Sequence, residues 1–139
     1  MHAYLGHDER RPPPLILGHE ACGTVQDGEF AGKRVTLNPL VTCGTCEACR
    51  AGRTNLCADR EIISMPPRQG AFAEYLRIPE RNLIELPGKM DPAIAALSEP
   101  VATAWHAVGI GERHSWQPPE ATRALVLGGG TGPQEPRVS

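Results

Sequence analysis

The chain is poor in aromatic side chains: Phe, Tyr and Trp together make up 4% of its 139 residues. Proteins that hold single-stranded nucleic acid stack bases on aromatic platforms, and this chain has little from which to build one. Basic charge is not in excess either. The formal net charge is -2 and the isoelectric point about 6.2, so the electrostatic footprint of a nucleic-acid binder is missing. No apolar run approaches the ~20 residues that cross a bilayer. Met1 to Arg10 has no apolar core of the kind a secretion signal needs. These features predict a soluble, cytoplasmic protein with neither membrane nor nucleic acid as partner. Long unbroken helices are not expected, because 15 glycines and 14 prolines punctuate the chain. Its length suffices for one domain with a core.

Cysteine is where the sequence is rich. Of five cysteines, four fall in the run Cys43-Gly44-Thr45-Cys46-Glu47-Ala48-Cys49, closed by Cys57. That clustering is metal spacing rather than a disulfide framework spread over the chain. Four thiolates fill the tetrahedral sphere of zinc and leave no open position for a substrate, so such a site is structural. An iron–sulfur site is the sharper rival, because the first three cysteines also match the opening of a bacterial ferredoxin motif. That motif closes after three residues with Cys-Pro, whereas seven residues separate Cys49 from Cys57. Reduced surface thiols are the plainer alternative. Cys22 stands apart and is expected to be a small buried side chain in an apolar strand. Thiolate ligands and a free thiol both suit a reducing compartment.

Residues Met1 to Pro14 are polar and read as an extended approach. Strands are predicted over Leu15 to Val25, Arg34 to Leu37, Ala71 to Ile78 and Asn82 to Leu86, the third from the alternation of Phe72, Glu74 and Leu76 with Ala73, Tyr75 and Arg77. Asn38 to Arg60 reads as a lobe held by metal rather than by apolar packing. Asp91-Pro92 is a helix start, with Asp as cap and Pro in the first turn. Ser98-Glu99-Pro100 reads as a junction, because proline inside a helix removes a hydrogen bond. A second helix is expected from Pro100 to Val108, ended by Gly109 and Gly111. Within it Trp105 and His106 are expected to pack. Ala124 to Leu127 is an apolar strand that runs into Gly128-Gly129-Gly130.

Four stretches occur in one order: Gly18-His19-Glu20-Ala21-Cys22-Gly23-Thr24-Val25, the cysteine lobe through Gly52 and Cys57, Gly70-Ala71-Phe72-Ala73-Glu74-Tyr75, and Glu99-Pro100. In these motifs the chain resembles the zinc-containing medium-chain alcohol dehydrogenases over roughly residues 2 to 130. The resemblance implies a GroES-like fold, mainly β with some α, in which a partly open β-barrel carries a zinc-bound loop lobe. It implies that His19 binds a catalytic zinc, with Glu20 a direct or water-mediated neighbour and Glu99 a further ligand. Glu99-Pro100 is similar to the branch of polyol and threonine dehydrogenases. Cys43, Cys46, Cys49 and Cys57 would hold the structural zinc. The cofactor would be NAD or NADP, the substrate a small alcohol or polyol, and the assembly a homo-oligomer.

On this reading residues 1–122 are the catalytic domain and residues 123–139 the first strand and turn of a cofactor domain. Gly128 and Gly130 would open its dinucleotide fingerprint, with Pro133 where a third glycine belongs. The family's Cys ligand would fall ahead of Met1, so residues are expected to be missing there. By itself the chain is then expected to be inactive, as most of the nicotinamide half is lacking. The alternative from another class is a non-catalytic zinc-binding domain. Taken singly, each site residue also has a simpler role: His19 and Glu20 as a hydrogen-bonded pair, Glu99 as an acid at a helix start. His2 and His7 lie near the place of the missing ligand and are expected to be solvated.

Overall fold

A computed structural model describes residues 3–121 and residue 123. In chain order its elements begin with β1 (Cys22–Thr24), β2 (Arg34–Leu37), β3 (Leu40–Val41) and the short helix α1 (Glu47–Arg50). A 3-10 turn follows at Thr54–Leu56, then β4 (Glu61–Ile62), a second 3-10 turn at Glu80–Asn82 and β5 (Leu83–Glu85). Helices α2 (Pro92–Ala96) and α3 (Ser98–His114) and a last 3-10 turn at Pro119–Ala121 complete the list. The architecture is mainly β with some α, built on small open sheets.

Strand β2 is the centre of the larger sheet. It pairs antiparallel with β1, placing Cys22 opposite Thr36, and with β5, placing Thr36 opposite Ile84. A central strand is covered from both edges, and Val35 and Thr36 are accordingly buried. The smaller sheet joins β3 to β4, with Leu40 opposite Ile62. It brings together the two ends of the cysteine-bearing loop. Val35, Val41, Cys57, Ile63, Leu86 and Ala95 make up the apolar core.

The strand expected at Arg34 to Leu37 forms over those residues, and Leu83–Glu85 forms within the predicted Asn82 to Leu86. Two other expectations are corrected. Of Leu15 to Val25 only Cys22–Thr24 is a strand, because Gly18 sits at φ 94, in the left-handed region, and breaks the extended run. Ala71 to Ile78 forms no strand. Ala71 and Phe72 donate to the carbonyls of Gly18 and Leu17, but among the described residues Ala73 to Ile78 make no backbone hydrogen bond. An alternating pattern needs a partner strand to become a ladder. Phe72 and Tyr75 stand exposed.

Helix α2 starts as expected. The Asp91 carboxylate accepts the Ala93 N–H at 2.7 Å, and Pro92 occupies the first helical position. The following helix departs from expectation. It begins at Ser98, takes Pro100 into its first turn and runs through Gly109 and Gly111 to His114. Pro100 is tolerated there because a first-turn N–H has no helical partner to lose. Neither Gly109 nor Gly111 adopts the positive φ that would stop a helix. Each merely weakens it, by about 1 kcal/mol relative to alanine.

The chain divides into two compact units, Met1–Glu99 and Pro100–Ser139. The first contains both sheets, the cysteine loop and α2. Its N-terminal segment is tied down by charge. Asp8 pairs with Arg10 and Arg11, and the Arg10 guanidinium holds its carboxyl well below the usual carboxylate range. Arg11 in turn donates to the Ser64 carbonyl at 3.0 Å. The second unit holds most of α3. There Trp105 is 80% exposed and His106 is exposed as well, so neither makes the packing expected of it. No helix among the described residues is long and apolar enough to cross a membrane.

Candidate metal centres

The cysteine loop brings its four thiols to one point. Gly44 at φ 75 and Gly52 at φ 72 turn the chain back on either side of α1. Cys46 caps that helix, Cys49 lies within it, and Cys57 follows the 3-10 turn at Thr54–Leu56. All four Sγ atoms lie within 4.8 Å of one another. Cys43 Sγ is 3.6 Å from Cys57 Sγ and 4.0 Å from Cys49 Sγ. Sulfurs at the corners of a tetrahedral zinc site, with ~2.3 Å bonds, are about 3.8 Å apart, whereas a disulfide needs about 2.05 Å. The donor set therefore fits zinc. Hydrogen bonds from the Thr45 and Cys46 backbone amides, the Thr45 side chain and the Cys57 thiol lower the Cys43 thiol to about 6. Burial, then the neighbouring Cys46 thiol, raises Cys49 to about 11. Thiolates this close together repel one another, and a cation among them offsets that repulsion.

The base of this loop is fastened by a residue that the sequence did not single out. Asn82 is 4% exposed, and its side-chain amide donates to the Asn38 carbonyl at 2.8 Å and the Leu40 carbonyl at 2.9 Å. Arg81 donates to the Thr42 carbonyl, next to Cys43, at 2.9 Å. The one available signal was a carboxamide opening the otherwise apolar run Leu83-Ile84. Replacing Asn82 by Leu leaves two carbonyls without their donor. Stability should fall by about 1–3 kcal/mol, read as a lower denaturant midpoint at unchanged slope.

The second cluster joins residues far apart in the chain. One ligand atom each from His19, Glu20 and Glu99 lies within 4.8 Å of the others. His19 and Glu99 are half-buried and Glu20 is exposed. The pair His19-Glu20 is held from its C-terminal side, where Thr36 Oγ1 donates to the Ala21 carbonyl at 3.0 Å before β1 begins. Glu99 reaches the same place through α2. That short helix lies against β1, with Ala95 wholly buried. Ser98 Oγ then donates to the Ala95 carbonyl at 2.7 Å and sets the first turn of α3, which carries Glu99. Among the described residues no Lys or Arg forms an ion pair with Glu20 or Glu99. An imidazole and two carboxylates without a basic partner fit a divalent cation, and three ligands leave zinc an exchangeable position.

The remaining sequence candidates fall elsewhere. His7 is exposed, and His2, Gly128 and Gly130 lie outside the described residues. Cys22 is half-buried rather than buried, and its partial burial pushes the thiol up against the opposing effect of Arg34.

Comparison with known proteins places the chain in a family. The alcohol dehydrogenase GroES-like domain model matches residues 1–88. Sorbitol dehydrogenase of Bacillus subtilis (strain 168) is 36% identical over 121 residues, which cover 83% of this chain and 33% of that protein. L-galactonate-5-dehydrogenase of Escherichia coli (strain K12) is 38% identical over 136 residues, covering 94% and 38% respectively. A solved structure of a short chain alcohol dehydrogenase from Escherichia coli CFT073, complexed with NADH, superposes with a TM-score of 0.71 at 31% identity. That superposition covers 80% of this chain and 34% of the other. The chain spans about a third of the length of the relatives it matches. With the domain match running over more than half of its residues, the chain belongs to the zinc-containing medium-chain alcohol dehydrogenases, within their GroES-like domain.

Proposed function

We propose that this chain supplies the catalytic part of a zinc-dependent dehydrogenase that passes a hydride between an alcohol or polyol and NAD or NADP. The convergence of His19, Glu20 and Glu99 carries the reading. His19 and Glu99 are half-buried and fixed by the elements around them, so they hold the metal position. Glu20 is exposed and brings a second carboxylate to the same place. When bound, zinc supplies Lewis-acid stabilisation of the charge that develops on the alcohol oxygen. Cys43, Cys46, Cys49 and Cys57 form the second, closed centre, which holds the loop and leaves no place for substrate.

Relatives named for sorbitol and L-galactonate support polyhydroxylated substrates. The neighbour solved with NADH supports a nicotinamide cofactor. Gly128 and Gly130 are assigned to the opening of the nucleotide-binding part, in residues 123–139, after a catalytic domain over 1–122. A homo-oligomer in the cytoplasm, with no nucleic-acid partner, completes the proposal.

Metal content tests it. The chain should bind zinc at both centres, the cysteine site tightly and the His19 site weakly enough to exchange with a chelator. His19→Ala should remove the weaker site only. Joined to a nicotinamide-binding domain, the chain should oxidise sugar alcohols, and His19→Ala should abolish turnover. Zinc binding unchanged by His19→Ala would sink the assignment and favour a non-catalytic zinc-binding domain.

A further inference from the structure

The loop that delivers His19 is gripped from its N-terminal side by a segment outside the cluster. Four hydrogen bonds join Ile16–Gly18 to residues 69–72. The Ile16 N–H donates to Gln69 Oε1 at 2.7 Å. The Gly70, Phe72 and Ala71 amides donate to the carbonyls of Ile16, Leu17 and Gly18 at 2.7, 2.9 and 2.8 Å. All three carbonyls just ahead of His19 are thus engaged by a single short stretch.

The approach is close enough to require glycine on both sides. A Cβ on Gly70 would meet the Leu17 carbonyl carbon and oxygen and come within 2.6 Å of the Gly18 oxygen. A Cβ on Gly18 would lie 2.5 Å from Cδ1 and 2.8 Å from Cε1 of Phe72. At Gly70 the contacts are with backbone and exclude any side chain unless the backbone moves, whereas at Gly18 a side chain would displace the Phe72 ring and strain the turn at φ 94. The Phe72 ring therefore rests on the residue next to His19. It is nevertheless 78% exposed, so burial in the core does not account for its place. On the other side of His19-Glu20 the Thr36 hydroxyl holds the Ala21 carbonyl. The ligand pair is suspended between two fixed points.

We propose that Gly70 and Phe72 are positioning residues that set the place of the His19 imidazole at the second metal centre. Gly70 lets the two backbones meet, and Phe72 covers Gly18 so that the turn at φ 94 keeps one conformation. This rests on the reading of His19 as a ligand. Outer residues that orient a metal-binding imidazole influence affinity without touching the metal.

The test uses the whole chain titrated with Co(II) alone. Cobalt in the cysteine loop gives intense thiolate charge-transfer and d–d bands and fills first, so the His19 site is read from the weaker d–d bands added beyond the first equivalent. Phe72→Ala should lower affinity at the His19 site by about 10–100-fold and shift its d–d bands. The charge-transfer bands of the cysteine loop should stay unchanged. Phe72→Tyr keeps the ring and should restore both affinity and spectrum. Gly70→Ala should reduce affinity further, because it displaces backbone. If Gly70→Ala does not fold, the two Phe72 variants decide alone. Affinity within about twofold of the parent and unchanged d–d bands in Phe72→Ala would overturn the clamp while leaving the site intact. Second-equivalent d–d bands that survive His19→Ala would remove the site itself, and the clamp with it.

Discussion

Replacing Cys57 with Ser should strip zinc from the cysteine loop and unfold residues 40–62 as a unit. Beyond the pairing of β3 with β4 and the Asn82 and Arg81 bonds at its base, little else holds that stretch. Helix α1 has four residues and none of them is buried. Isolated helices of that length do not persist in water. Cys57 itself is completely buried, with its sulfur 3.6 Å from that of Cys43. Serine would fit the space but offers zinc a poor ligand at neutral pH. Structural zinc contributes on the order of 10–16 kcal/mol to the folding of small zinc-binding peptides, so losing one thiolate of four should be decisive for the loop. Elemental analysis after dialysis should show the tight zinc gone. Amide hydrogen exchange should show protection lost over residues 40–62 and kept in β1, β2 and β5. Full zinc retention with unchanged exchange would argue against a coupled metal loop. Iron with visible charge-transfer absorption in the parent would argue against zinc.

Glu99→Ala should have the next largest effect, and it should be confined to the other centre. The Glu99 carboxylate is one of three groups that meet there, and its backbone follows the buried Ala95 and the Ser98 hydroxyl bonded to the Ala95 carbonyl. Loss of a direct ligand exceeds the loss of an outer one, so zinc affinity should fall by more than about 100-fold. Turnover of the chain joined to a nicotinamide-binding domain should fall in parallel. Glu99→Gln keeps an oxygen donor but not its charge, and should lie between the parent and Glu99→Ala. Helix α3 should survive, since alanine is the best helix former. Competition against a chromogenic chelator, with circular dichroism as control, measures both. Unaltered affinity in Glu99→Ala would return Glu99 to the role of a helix-start acid.

Some of this was legible because the physics is local. Four cysteines within a span of 15 residues can converge only through the loop that carries them, so their spacing announced a metal site before any fold was known. Asp91 and Pro92 satisfy the first turn of their own helix, and the pair predicted it correctly. Arg34–Leu37 has the β-branched, alternating character of a strand and forms one.

Other features depended on partners that a local pattern does not contain. Ala71 to Ile78 alternates as well as any strand, yet its first amides turn to Ile16–Gly18 and the rest find no ladder among the described residues. Asn82 is unremarkable in sequence; its weight comes from two carbonyls more than forty positions away. The family resemblance marked His19, Glu20 and Glu99 as ligands, but read singly they were an ordinary pair and an ordinary helix acid. What decided their juxtaposition was tertiary: β1 continues from His19-Glu20, α2 leads into Glu99, and α2, with Ala95 buried, lies against β1. The sequence by itself determined ligand types, caps and the short-range metal loop, because those obey spacing and dihedral rules within a few residues. The tertiary structure decided which distant groups share a site, because that depends on burial and hydrogen bonds made across the fold.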